Sequence, residues 1–209
     1  MTAFITHWWK SVRLEQLARA LLAWLATGAL LCASAQPVSP EIKELRLEHS
    51  ADSLLLSANI ELRLPFAVED ALLKGVPVIF VAEAELLRER WYWADKRVAS
   101  TVRQMRLSHH PMTRRWRLSL SAGESPASGG ALNLSFESLE EALAAISRLS
   151  NWRIADWAEL EADARHQLQF RFRLDVGQLP RPMQIGTLGQ SDWNISASVT
   201  QKFVPGEIR

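Results

Sequence analysis

Two runs of strict alternation constrain this chain most. Leu54, Leu56, Ala58, Ile60, Leu62 and Leu64 alternate with Ser57, Asn59, Glu61 and Arg63, and Leu168, Phe170, Phe172 and Leu174 alternate with Gln167, Gln169, Arg171 and Arg173. Successive side chains of a strand point to opposite faces, so a period of two buries one row and wets the other. A helix would scatter the same leucines around its whole circumference. The chain is therefore expected to be built from half-buried β-strands.

The remaining segments fit that frame. Ile42–His49 is expected to pair with Leu54–Leu64 as a hairpin across Asp52-Ser53. Pro65 ends the second strand. Phe66–Lys74 reads as two helical turns stopped by Gly75, and Pro77 opens a strand with Val78, Phe80, Ala82, Ala84 and Leu86 on one face. Glu83, Glu85 and Glu89 take its other face. Continued alternation would turn Arg88 and Arg90 inward and Trp91 and Trp93 outward, so either the core-facing row ends near Leu87 or a β-bulge swaps the parity. Ala94–Arg97 is a turn. Val98–His109 and Thr113–Ser121 follow as strands around His110-Pro111-Met112, with Trp116, Leu118 and Leu120 facing in. Ala122–Gly130 is a surface loop and Leu132–Phe136 a short strand.

Ser138 with Glu141 three residues on is a capping box, and Leu139, Ala142, Leu143, Ile146 and Leu149 form an apolar stripe, which predicts a helix over Ser138–Leu149. Asn151–Leu160 reads as a short strand and turn, and Trp193–Lys202 as the last strand. Eight or nine strands linked mostly as hairpins, with this one firm helix, predict an antiparallel β-sandwich or open barrel. The alternative is a two-layer α+β fold with the helix packed across one sheet.

Of the 209 residues, the first 35 are set apart. Lys10, Arg13 and Arg19 precede an apolar run from Ala20 to Leu31, and Ala33-Ser34-Ala35 before Gln36 has the small-x-small form that a signal peptidase reads. A helical, cleaved export signal is expected, followed by a single β-rich domain over 36–209 in the periplasm. The other reading is an inner-membrane anchor at residues 20–33, although the run is short for a span of about 20 residues. A lipidated Cys32 fits less well, because Leu31 stands where such signals carry a small residue.

Cleavage would take three of the 24 basic and one of the 23 acidic residues, leaving a formal charge of −1. No single-sign field remains to attract nucleic acid. Membrane contact is expected only through an uncleaved leader. The sole cysteine, Cys32, leaves with the leader, which excludes disulfides, thiol catalysis and cysteine metal sites from the domain.

The chemistry-bearing motifs are thin. His109-His110 are neighbours on a strand and point apart, so they are a poor chelating pair, and no metal or cofactor is expected. No Gly-x-Ser-x-Gly and no phosphate-binding glycine loop is present, and the chain is not expected to be an enzyme. The strongest candidate for binding a ligand or partner is the cluster Arg88, Arg90, Trp91, Tyr92 and Trp93, joined by Trp116 from the basic stretch Arg114–Arg117. Arginine beside exposed tryptophan suits stacking and fork-like hydrogen bonding. The competing reading folds the tryptophans into the core with the arginines at its rim. Two functional alternatives remain: an envelope-polymer hydrolase using Glu83, Glu85 or Asp95, and a structural subunit that lends a sheet edge to another protein.

Several segments in order carry a family resemblance: Gly75-Val76-Pro77, Glu85–Asp95 (ELLRERWYWAD), Leu107–Trp116 (LSHHPMTRRW), Ser138–Leu143, Arg173-Leu174-Asp175, Leu179–Gln184 and Asp192-Trp193. Together they resemble the exported bacterial proteins grouped as domain of unknown function 4390, also labelled proline-rich signal peptide proteins. The resemblance brings no catalytic residues. It implies a genetic neighbourhood with nitrogen-regulation-type sensor histidine kinases, and hence an envelope partner or signalling role.

Overall fold

The computed structural model describes residues 39–208 except 93, 124–130, 182 and 185–190. The expected export signal, with its cleavage residues Ala33, Ala35 and Gln36, lies outside the described residues. Pro37–Arg209 forms one compact unit.

Among the described residues, nine strands form two antiparallel sheets. The smaller has the order β1 (Glu41–Ser50), β2 (Ser53–Glu61), β7 (Arg148–Asp156). The larger runs β6 (Leu132–Phe136), β5 (Arg115–Ala122), β4 (Lys96–His110), β3 (Val78–Arg88), β8 (His166–Leu174), β9 (Ser196–Phe203). The predicted mainly-β class and strand number are both found. The sheets stay separate and close no barrel, an arrangement that fits the expected sandwich as well as the two-layer α+β alternative.

Both alternating runs behave as their period demands. Leu54, Leu56, Ala58 and Ile60 of β2 and Leu168, Phe170, Phe172 and Leu174 of β8 are buried in one core, while Arg171 points to solvent. Phe80 of β3 stacks on Phe172 at 5.7 Å between ring centroids. Strand β3 is the centre of the large sheet and is buried on both faces from Val78 to Val81, so its alternation starts only at Ala82. Arg103 of β4 reaches between the sheets and lies 5.0 Å from the ring of Trp152 on β7, a cation–π contact that joins the layers. Burial draws its guanidinium below the usual arginine range.

Among the described residues, two α-helices carry the chain between sheets. Helix α1 (Phe66–Leu73) links β2 to β3 and ends in a Schellman turn: Gly75 N–H donates to the Leu72 carbonyl (2.9 Å) and Val76 N–H to the Ala71 carbonyl (3.0 Å). Gly75 has φ +82°, which an L side chain rarely adopts, so the glycine is what lets the helix stop there. Helix α2 (Leu139–Ser147) links β6 to β7. Ser138 Oγ accepts from Glu141 N–H at 3.2 Å, and the Glu141 carboxylate accepts from Glu137 N–H at 3.2 Å. The helix packs against β2, β5, β6 and β7. It thus extends the three-stranded layer over the β5–β6 end of the longer sheet.

Several boundaries differ from the sequence reading. Strand β2, expected to run to Leu64, ends at Glu61, with Leu62 and Leu64 buried beyond it. The helix expected to reach Leu149 ends at Ser147, and Leu149 is a buried residue of β7 opposite Ala58 of β2. The apolar stripe continued unbroken, but ladder pairing with β2 satisfies the backbone from Arg148 onward, where one more helical turn would leave the edge of β2 bare. The short strand expected within Asn151–Leu160 is the second half of β7. Trp193 sits in a 3-10 turn (Ser191–Trp193) before β9, still buried, because its ring packs without ladder pairing.

Candidate functional site

The β3–β4 loop holds the residues expected to bind. Against β4 the register of β3 slips between Leu86 and Leu87, so Leu86 faces Ala99 and Leu87 faces Arg97. The first option read from the sequence holds, since the inward row ends at Leu86. The extra residue of the slip, Val98, sits in β4, and β3 pairs with β8 without a break to Arg88, so the parity of β3 is not swapped. Beyond the strand end the loop is tied down at its base. The Arg88 guanidinium pairs with Glu161, Glu89 N–H donates to the Arg165 carbonyl (3.0 Å), and the Glu89 carboxylate meets Lys202 Nζ of β9 at 2.5 Å. That hydrogen bond with Lys202 holds the Glu89 carboxyl below the ordinary carboxylate range. Arg90 N–H closes the loop onto Asp95 Oδ1 at 3.3 Å.

From this base the tip projects. Trp91 is 93 % exposed and Tyr92 66 % exposed, their rings 5.0 Å apart in an edge-to-face arrangement. The reading that folds Trp91 into the core does not hold. Trp93 lies outside the described residues. The expected partnership of tryptophan with an arginine fork is not assembled at Arg88, whose guanidinium turns back to Glu161 and acts as a strut. Trp116 is not part of this cluster. It is 6 % exposed in the core, 4.6 Å from the His109 ring and opposite Phe136, at the Val78 end of the sheet. Its inward parity on β5, with Arg115 and Arg117 outward, already pointed there.

The carboxylates considered for hydrolysis are otherwise engaged. Arg173 binds Glu83 through Nε (3.2 Å) and Nη2 (2.9 Å), Arg97 pairs with Glu85, and Asp95 caps Arg90. Glu83 and Glu85 stand side by side on one strand and do not face each other across a groove. Among the described residues no three His, Cys, Asp or Glu side chains gather as a metal site requires.

A second surface was not anticipated. On the outward face of β4, β5 and β6 lies a trough of about 910 Å³. Its floor is a grid set by the register: Arg106, Ser119 and Asn133 form one row, and Ser108, Arg117 and Ser135 the next. The Schellman turn at Lys74-Gly75 and Pro77 make one rim. Among the described residues no carboxylate lines it, and neither Arg106 nor Arg117 has an ion-pair partner. The β3–β8 half of the same face differs, because there Arg97, Arg171 and Arg173 all meet Glu83 or Glu85. The signal in the sequence is a polar pair two residues apart in each of three consecutive strands: Arg106/Ser108, Arg117/Ser119 and Asn133/Ser135.

Fold and surfaces together define a two-layer, mainly β domain with an anchored aromatic loop at one end of its central strand and a basic trough near the other. The chain belongs to the family described as domain of unknown function (DUF4390), whose sequence profile matches residues 38–202. No curated protein and no solved structure matches the chain. No helix among the described residues is long and apolar enough to cross a membrane.

Proposed function

We propose that this protein is an exported binding and adaptor module of the bacterial periplasm, acting by docking rather than by turnover, with an envelope sensor kinase of the nitrogen-regulation type as its partner. The leader-like first 35 residues support export, and the family's genetic neighbourhood supports the kinase. The observation that carries the reading is the Trp91–Tyr92 pair. Two large rings held out in water on a loop fixed at four points form a preorganised anchor of the kind that dominates protein interfaces.

The test is calorimetric titration of the leaderless protein into the purified periplasmic domain of the neighbouring sensor kinase. Burying a tryptophan anchor is worth at least about 2 kcal/mol, so Trp91→Ala should weaken binding by roughly 30-fold or more. Absence of binding, or equal affinity for Trp91→Ala, would refute the proposal. The sheet-edge reading keeps one supporting observation: β9 is an eight-residue strand with β8 as its only ladder partner among the described residues.

A further inference from the structure

We infer that the trough over β4, β5 and β6 is a docking groove for an extended, acidic segment of a partner polypeptide. It is independent of the aromatic loop, which lies at the opposite end of β3.

The argument begins with uncompensated charge. Arg106 and Arg117 are exposed cations with no acid partner among the described residues, on a sheet whose other outward arginines are neutralised. Lys74 on the rim adds positive charge, although Asp70 holds it at 2.6 Å. Two free guanidiniums over a polar floor await an anion, and the planar fork of arginine fits a carboxylate with two parallel hydrogen bonds.

Spacing then selects the anion. Arg106 faces Ser119, and Arg117 stands two residues before Ser119 on β5, so the arginines are diagonal neighbours in the ladder, roughly 7–8 Å apart. Alternate residues of an extended chain repeat at about 6.6 Å. Acidic side chains at positions i and i+2 would therefore each reach one guanidinium. The hydroxyls of Ser108 and Ser135 and the amide of Asn133 remain on the floor to meet the peptide's own polar groups.

Composition argues against the other polyanions. No Phe, Tyr or Trp among the described residues lines the trough, so nucleic-acid bases would lack the large aromatic platforms that single-strand binding uses, with only His109 and His110 beside it. The cations also lie on a trough floor rather than on a protruding ridge, which suits a strand better than a flat lipid surface.

The experiment is fluorescence anisotropy with a labelled peptide of alternating Glu and Ser, set against its Gln-Ser analogue, at low salt. Saturable binding of the Glu-Ser peptide is expected, at least tenfold tighter than the analogue and weakened by added NaCl. The double variant Arg106→Gln/Arg117→Gln should lose at least tenfold, whereas Arg97→Gln, whose guanidinium belongs to Glu85, should stay within about twofold. Circular dichroism of both variants controls for folding. Equal binding of the two peptides overturns the inference, as does an unchanged affinity in the double variant. It is equally overturned if phosphatidylglycerol vesicles or single-stranded DNA bind through Arg106 and Arg117 while the peptide does not.

Discussion

Replacing Trp91 and Trp116 in turn separates a ring kept for binding from a ring kept for folding. A tryptophan removes on the order of 200 Å² from water when buried. At about 25 cal/mol per Å², a side chain only 6 % exposed, as Trp116 is, gains roughly 5 kcal/mol. Residual burial in the unfolded chain trims this by about 10–40 %. Trp116→Ala should therefore cost about 3–4.5 kcal/mol, in line with the roughly 3–5 kcal/mol of large aromatic truncations. For a domain of this size that lowers Tm by about 6–18 °C. Trp116→Phe, which keeps a ring beside His109, should cost clearly less. Trp91, at 93 % exposure, has almost no contacts to lose, and Trp91→Ala should stay within about 0.5 kcal/mol of the parent. Urea unfolding followed by circular dichroism measures all three. A cost above about 1.5 kcal/mol for Trp91→Ala, or below about 1 kcal/mol for Trp116→Ala, would refute the assignment of the two rings to surface and core.

Two further outcomes follow from local chemistry. Ser138→Ala removes the side-chain acceptor at the start of α2 and should cost about 1 kcal/mol in the same urea assay. His166 is fully buried, and its Nδ1 donates to the Ala164 carbonyl at 2.9 Å, while Nε2 has no hydrogen-bond partner among the described residues. Burial, foremost, draws its pKa below the usual 6.5; nearby Arg88 acts the same way, and the Ala164 carbonyl and Glu161 oppose it. The unfolded chain thus takes up the proton first. His166 contributes full stability above about pH 6.5 and loses it as the pH falls through its depressed folded value. Unfolding free energies between pH 7.5 and 5.5 should show this loss in the parent and a flatter profile in His166→Gln; parallel profiles would contradict it.

Strand existence was legible wherever one face is buried and the other wet. Leu54–Leu64 and Leu168–Leu174 needed only their period, and the Gly75 stop and the Ser138 cap needed only local chemistry. Boundaries set by pairing were harder to read. Leu149 continues a helical stripe perfectly well, and only the presence of β2 beside it makes Arg148–Asp156 a strand. The aromatic cluster was legible in part. Sequence proximity joined Arg88 to Trp91, but Glu161, more than seventy residues away, claims the guanidinium. Trp116 was grouped with that cluster by residue type alone, although its own parity placed it inward.

The amino-acid order by itself determined that this domain is built of half-buried strands with two capped helical links, because those features depend on neighbours a few residues apart. Only the tertiary structure decided which charges are spent. Glu83 and Glu85 neutralise Arg171 and Arg173 of β8 and Arg97 of β4 but reach neither Arg106 nor Arg117, and that follows from strand order and register. The basic trough is thus a product of strand order and register: its cations come from two strands, its remaining polar floor from those two and a third, and one rim from the turn after α1.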